Sequence, residues 1–258
     1  MKPNHLVSII IPAHNEANCI GLVLVQILKF VARCNLPLRW ELLVVDNGST
    51  DSTAAIARQH GVKVIRAPKL GYGEACWQGV QASRGEVLLF VDGDGAVAID
   101  DSWNLLVALM QGADLAIGVR TYAEPGSMTT AQRFGNQLAC TLMRTLWGYP
   151  VQDLGPLRAI TRHAFDQLHM VDRDFGWTIE MQLSAYRAQL CVVEVPVRWR
   201  ARLGGHSKIG GTVLGVLRAG RDIIGMLARF WWQQRRGVKP HLLLDQNQHH
   251  IFFLFFYF

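Results

Sequence analysis

Short apolar runs that each end in a polar cluster, with helix-like stretches between them, constrain this chain more than any other feature. Val7-Ser8-Ile9-Ile10-Ile11 is almost continuously apolar, as expected of a parallel strand buried on both faces, and it stops at Pro12. Helical periodicity follows from about Ala17 to Cys34, ending before Pro37. Trp40 to Val45 is a second strand that breaks at Asp46-Asn47-Gly48-Ser49-Thr50-Asp51, and Ser52 to His60 reads as a helix stopped by Gly61. Val62 to Arg66 is a third strand, Ala75 to Ser83 a third helix, and Glu86 to Val91 a fourth strand ending at Asp92. Strands and helices alternating at this spacing predict an α/β fold with an open, mostly parallel sheet covered by helices on both faces. In such sheets ligands bind beyond the carboxyl ends of the strands, where Ala13-His14-Asn15-Glu16, Asp46 to Asp51 and Asp92-Gly93-Asp94 all fall.

Beyond about residue 112 the pattern loosens. Leu115 to Val119, Gly155 to Thr161 and Cys191 to Arg198 read as strands, and Gln132 to Leu146 and Thr178 to Gln189 as helices, with Thr178 a reasonable cap for the latter. No internal repeat or low-complexity segment interrupts the chain. The expected organisation is one catalytic domain over residues 1–210 and a helical appendage over 211–258.

With 258 residues there is room for one large α/β domain and a short extension. The net charge of +6 and sequence pI of about 9.3 suit anionic partners without choosing among nucleotides, phospholipid headgroups and nucleic acid. Five scattered cysteines, Cys19, Cys34, Cys76, Cys140 and Cys191, with no Cys-x-x-Cys spacing, read as reduced thiols in a cytosolic compartment. The first apolar run is too short for a secretory signal and lacks a cleavage site.

The chemistry-bearing residues each have an ordinary alternative. Asp92 and Asp94, one residue apart at the end of a strand, suit Mg²⁺ or Mn²⁺ bridging to phosphate oxygens, yet an isolated Asp-x-Asp more often forms a turn or a helix cap. Asn47-Gly48 signals a turn, Asp51 or Ser52 suits a cap for the next helix, and Glu16 suits a helix start. Three such clusters at successive strand ends are poorly explained by three independent caps.

In their order and spacing, the segments Val7 to Glu16, Val44 to Asp51 and Asp92-Gly93-Asp94 resemble the family 2 glycosyltransferases of GT-A (Rossmann-like) fold, over roughly residues 6 to 210. The likeness is strongest to the branch containing dolichyl-phosphate mannose synthase and related polyprenyl-phosphate sugar synthases. It implies an inverting, metal-dependent transfer of a hexose from a nucleotide sugar of UDP-glucose or GDP-mannose type. Pro12, Ala13 and Glu16 would line the nucleoside pocket, Asp46 would meet the base, and Lys69 and Gly93 would lie near the donor. Asp94, helped by Asp92, would hold the metal. One position departs from that branch: where the synthases often carry a metal-binding Gln two residues after the second Asp, this chain has Ala96.

The acceptor side is implied by Val151 to Ala159, where Gly155-Pro156 forces a bend expected to aim Asp153 and Arg158 at a cleft; Asp153 reads equally as a turn-capping residue. Glu180 reads as a helix-capping acid or a catalytic carboxylate. A hydroxyl acceptor needs a general base, whereas an ionised polyprenyl phosphate needs none. The basic, glycine-hinged stretch Arg198 to Lys208 resembles the family's phosphate-closing loop, with Arg202, Ser207 and Lys208 as contacts. A nucleic-acid surface would need aromatic residues interleaved with basic ones, so no nucleic-acid partner is expected. Lys69-Leu70-Gly71-Tyr72-Gly73 lacks the ending of a P-loop and reads as a turn with possible donor contact.

From Thr212 to Trp232 helical periodicity places Arg218, Arg221, Asp222 and Arg229 opposite Val213, Leu217, Ile224, Leu227 and Trp231. Central charges cost roughly 2.5 to 3.5 kcal/mol each on insertion, so this segment is expected to lie in a membrane interface, on the cytoplasmic face, or to pack on the catalytic domain. The apolar end Ile251 to Phe258 spans about 12 Å as a helix, too short to cross a bilayer. Oligomeric state is not specified by any of these features.

Overall fold

The computed structural model describes residues 4–124, 127–204 and 224–232. Seven strands form one sheet: β1 (Leu6–Ala13), β2 (Arg39–Asp46), β3 (Lys63–Arg66), β4 (Val87–Phe90), β5 (Leu115–Ala123), β6 (Arg158–Thr161) and β7 (Val192–Trp199), in the order β3-β2-β1-β4-β6-β5-β7. The first four strands are parallel neighbours, as the alternation predicts. β6 runs antiparallel to both β4 and β5, while β7 lies parallel to β5. One reversed strand makes the sheet mostly parallel, as expected from the sequence.

That reversal positions the site. Ala13 is in register with Asp46, Ile10 with Phe90, and Phe90 with Arg158. Because β6 is reversed, its start lies at the same sheet edge as the ends of β1, β2 and β4. The segment 151–157 therefore enters the edge where the three polar clusters emerge.

Besides a helical stretch at 224–232, the described residues form seven α-helices: α1 (Ile20–Arg33), α2 (Thr53–Gln59), α3 (Tyr72–Ala82), α4 (Ser102–Met110), α5 (Thr130–Trp147), α6 (Arg162–Leu168) and α7 (Trp177–Arg187). The period of two along a strand sends alternate side chains to opposite layers. Val7, Ile9 and Ile11 of β1 pack with Ile20, Leu24 and Ile27 of α1 and Leu105 and Leu109 of α4. Ile10 joins Leu88 and Phe90 against Cys76 and Val80 of α3, Phe165 of α6 and Trp177 of α7. Both faces of the sheet are buried, which is why its central strands read as unbroken apolar runs.

Two helices escaped the sequence pattern. α4 buries Ser102, Leu105, Leu106, Ala108 and Leu109, so its apolar residues crowd too much of its circumference to give a clean stripe. α6 is short, and its Thr161 accepts a hydrogen bond from the Ala164 amide at 3.2 Å. Thr178 does not cap α7: the helix begins at Trp177, its N-cap position is Gly176, and no side chain caps it.

A third, smaller cluster joins Cys140 and Met143 of α5, Ile179 and Leu183 of α7, and Met226, Leu227 and Phe230 of a helical stretch at 224–232. Leu227 is buried as its periodicity suggests, but Ile224 is 56% exposed; Met226 and Phe230 supply the rest of the packing face. The expected boundary at residue 210, the loop residues Ser207 and Lys208, most of the 212–232 segment and the apolar end lie outside the described residues.

Candidate active site

The edge expected to take the donor is a set of interlocked strand-end loops. Asn15 and Glu16, just past β1, receive the hydroxyls of the loop after β2: the Asn15 amide donates to Ser49 Oγ (2.9 Å) and the Glu16 amide to Thr53 Oγ1 (2.8 Å). Asp51 Oδ1 accepts from the Thr53 amide (3.0 Å) and its Oδ2 from the Ala17 amide (3.1 Å), so it ties both loops together besides serving the start of α2. Asp46 Oδ1 accepts from the Ser49 amide at 3.1 Å, and Asn47 reaches across to the Lys69 carbonyl (2.8 Å) and the Gly71 amide (2.9 Å). Pro12, Ala13 and Gly93 are buried beneath these loops, while the Lys69 side chain is exposed.

Asp94 and Glu16 meet through Arg202. The end of β7 and the segment after it run along residues 94–98, held by Ala98 N to Arg198 O (3.2 Å), Arg200 N to Ala96 O (2.7 Å) and Leu203 N to Asp94 O (3.1 Å). That pairing carries Arg202 to Glu16 Oε1 at 2.7 Å and Asp94 Oδ2 at 3.4 Å, a bridge joining residues 186 positions apart. Ala96, where a side-chain ligand was absent from the motif, instead serves with its backbone: its amide donates to Asp94 Oδ1 at 2.9 Å.

Asp92 lies between two influences. Burial and the neighbouring charge of Asp94 push its carboxyl up to about 7, against the Tyr72 hydroxyl and the guanidinium groups of Arg202 and Arg120. The Tyr72 hydroxyl donates to Asp92 Oδ1 at 3.0 Å. Tyr72 was passed over in the sequence, where only its flanking glycines drew notice.

The pair fits a divalent cation in part. Two mutually repelling carboxylates at one strand end call for a positive charge, and Arg202 supplies one with its Nε buried and lacking an acceptor among the described residues. No group of three or more His, Cys, Asp or Glu side chains gathers as a metal cage among the described residues. Oxygen donors from a diphosphate and water would have to complete a hard cation's shell.

The edge expected to take the acceptor is organised around Asp153. Arg120, at the end of β5, grips it with two side-chain hydrogen bonds, Nε to Oδ2 (2.8 Å) and Nη2 to Oδ1 (2.5 Å), while its own amide also donates to Oδ2 (2.8 Å). Arg120 further donates to Asn136 of α5 (3.1 Å) and lies 5.2 Å from the centroid of the Trp199 ring. Arg120 and Asn136 were not singled out from the sequence; no short motif marks residues contributed by separate elements.

Arg158 is not aimed into a cleft. It is 1% exposed and donates to the carbonyls of Gly155 (2.8 Å) and Thr178 (2.6 Å) and to Gln182 Oε1 (3.0 Å), so it fastens the Gly155-Pro156 bend to α7. Glu180 faces the loop before α7: its carboxylate accepts from the amides of Val171 (3.0 Å) and Asp172 (2.7 Å), and burial pushes its carboxyl up. No described contact joins Glu180 to Asp92 or Asp94.

A mostly parallel sheet with a carboxylate pair at a strand end and a returning basic segment defines a nucleotide-sugar transferase architecture of the GT-A class. The glycosyl transferase family 2 model matches residues 8–168, and the chain belongs to that family and is a glycosyltransferase. It is 34% identical over 213 residues to an uncharacterised glycosyltransferase of Mycobacterium tuberculosis, covering 83% of this chain and 94% of that protein. A dolichyl-phosphate beta-glucosyltransferase of Drosophila melanogaster is 30% identical over 258 residues (89% of this chain, 76% of that one). The polyprenol monophosphomannose synthase of Mycolicibacterium smegmatis is 29% identical over 229 residues (82% and 84%). In fold, the chain is similar to glucosyl-3-phosphoglycerate synthase from Mycobacterium tuberculosis, solved with Mn²⁺, UDP and glucosyl-3-phosphoglycerate, with a TM-score of 0.69 and 21% identity over 91% of this chain and 81% of that one.

Proposed function

We propose that this glycosyltransferase moves a hexose from a nucleotide sugar of UDP-glucose or GDP-mannose type to a polyprenyl phosphate at the cytoplasmic face of a membrane. The observation that carries the reading is the bridge from Arg202 to Glu16 and Asp94, a loop-borne cation seated against two strand-end carboxylates. One relative is named a dolichyl-phosphate beta-glucosyltransferase and another a polyprenol monophosphomannose synthase, which favours a polyprenyl phosphate acceptor here.

Asp92 and Asp94 would hold Mg²⁺ or Mn²⁺, the cation named with the UDP complex of the structural neighbour. When bound, the metal neutralises the negative charge that develops on the departing diphosphate. Glu16 and the loop of Asp46 to Thr53 would seat the nucleoside, with Pro12, Ala13 and Gly93 forming its floor. Arg202 would exchange its carboxylate partners for diphosphate oxygens, a charge-assisted contact of the kind guanidinium groups make well. Its Nε, without an acceptor among the described residues, suits a group that takes a ligand oxygen. Arg120 and Asp153 would shape the acceptor side without acting as base, since an ionised phosphate needs no proton removed.

For the membrane, α5 presents Phe134 (68% exposed) and Leu138 (38%) one turn apart, beside exposed Arg133 and Arg144. The helical stretch at 224–232, packed against α5 through the small third cluster, exposes Ile224 and Arg229. No described helix is long and apolar enough to cross a membrane. Apolar residues flanked by arginines suit attachment to an anionic interface.

The deciding experiment offers UDP-glucose and GDP-mannose with Mn²⁺ to the purified chain, with undecaprenyl phosphate in anionic vesicles or 3-phosphoglycerate as acceptor. Sugar appearing on the lipid and not on 3-phosphoglycerate is the expected result. Transfer to 3-phosphoglycerate alone overturns the lipid acceptor.

A further inference from the structure

Tyr72 is fixed more firmly than a residue in a surface turn requires. It opens α3 between Gly71 and Gly73, and the backbone on either side of it is held from two directions. From the loop after β2, Asn47 accepts the Gly71 amide and donates to the Lys69 carbonyl. From the loop before α7, Arg173 accepts the Glu74 amide at 2.7 Å. That loop comes so close that a Cβ on Gly71 would lie 2.2 Å from the Arg173 carbonyl oxygen, and one on Gly73 would lie 2.7 Å from its carbon. Gly71 also has φ of +144°, which other residues adopt only with strain. Arg173 then pairs with Glu74 (3.6 Å) and sits 4.1 Å from the centroid of the Trp77 ring, closing the clamp one turn into the helix.

The only polar reach of Tyr72 is its hydroxyl, which meets Asp92 Oδ1 at 3.0 Å. A carboxylate rotates about its last bond unless one oxygen is held, and a rotating ligand presents a cation with the wrong edge part of the time. Hydrogen-bond partners behind metal ligands remove that freedom, and losing one typically lowers metal affinity about 10- to 100-fold.

We propose that Tyr72 is a positioning residue: its hydroxyl, delivered by the clamped Gly71-Tyr72-Gly73 turn, fixes the Asp92 carboxylate in the orientation that receives the divalent cation and the donor diphosphate. The proposal rests on Asp92 and Asp94 as the metal carboxylates. It gives the glycine-rich turn a role distinct from touching the donor.

The test is Tyr72→Phe in the full chain, with Mn²⁺ uptake in the presence of UDP, and separately GDP, followed by the loss of the free-Mn²⁺ electron paramagnetic signal. Thermal unfolding is recorded alongside. Mn²⁺ affinity is expected to fall about tenfold, with uridine or guanosine affinity and the unfolding midpoint close to wild type. Turnover should show a raised requirement for Mn²⁺ with kcat recovered at saturating metal. In an Asp92→Asn background the same change should have little further effect, because the group it positions has been altered. Unchanged uptake by a folded Tyr72→Phe protein, or an equal loss in the Asp92→Asn background, overturns the proposal alone. Wild-type protein that takes up no Mn²⁺ with either nucleotide overturns the metal reading and this proposal with it. Should Tyr72→Phe fail to fold, Tyr72→His, which keeps a donor on a ring, is measured the same way and should retain part of the affinity; affinity equal to that of Asp92→Asn overturns the proposal.

Discussion

The edges proposed for the donor and for the acceptor use the same kinds of charged side chain but hold them differently. On the acceptor edge Asp153 is 4% exposed and gripped twice by the side chain of Arg120, and Arg158 is wholly engaged with protein acceptors. On the donor edge Arg202 bridges two carboxylates at 2.7 and 3.4 Å and keeps its Nε without an acceptor among the described residues. Locked charge builds a wall, whereas loosely committed charge is available to a ligand. The contrast assigns rigidity to one edge and exchange to the other.

Breaking the locked edge should have the largest effect on stability. Asp153→Ala leaves the Arg120 guanidinium buried without its partner, and breaking such a pair typically costs about 3–5 kcal/mol. For a chain of this size that lowers the unfolding midpoint by about 10 °C, read by calorimetry. A shift of only a degree or two would show that Arg120 finds other acceptors and that the acceptor edge is not rigid.

Asp94→Ala removes charge from the exchangeable edge and should do the reverse. Turnover is expected to fall by about 10³-fold, about 4 kcal/mol of activation free energy, while the unfolding midpoint holds or rises slightly. Arg202→Ala follows with a loss of about 10²-fold in kcat/KM, the scale of one charge-assisted contact to developing charge. Because Arg202 also competes for Asp94, its removal should tighten Mn²⁺ binding in the absence of nucleotide. Titration of Mn²⁺ into nucleotide-free protein checks this; weaker binding in the variant would mean that Arg202 organises the carboxylates instead of occupying them.

The two edges also differed in how well they could be read. The donor edge lies at the ends of three parallel strands whose residues are contiguous, so Glu16, Asp46, Asp92 and Asp94 announced themselves with their strands. The acceptor edge draws Arg120 from β5, Asn136 from α5, Asp153 from a loop and Trp199 from β7. It depends on β6 being antiparallel, and nothing in a four-residue strand specifies its direction. Arg158 was misread for a related reason: the Gly155-Pro156 bend was visible, but the packing of α7 that consumes the guanidinium was not. Arg202 was legible as a phosphate contact only through the family resemblance, and its bridge to Glu16 and Asp94 was not, since those partners lie 186 and 108 positions away.

Glu180 gives the smallest effect and the finest test of where the locked edge ends. Burial raises its carboxyl above the ordinary glutamate value, and the amides of Val171 and Asp172 only partly offset that. The folded protein therefore binds this proton more tightly than the unfolded chain does. The sign follows: stability is greatest below the ordinary glutamate value and falls as pH rises from there to the raised folded value, above which the loss is complete. Glu180→Gln cannot ionise, so it should remove this contribution to the slope while imposing a nearly pH-independent penalty of about 1–2 kcal/mol for the under-satisfied amides. Urea midpoints for both proteins between pH 4 and 8 separate the two effects. If the slope survives in Glu180→Gln, the proton belongs to another buried carboxylate, of which Glu194 on β7, also raised by burial, is the next to substitute. If the penalty is absent, the loop at 171–174 does not depend on α7 for its place, and the clamp on Gly71 and Gly73 must be anchored through Arg173 and Glu74 instead.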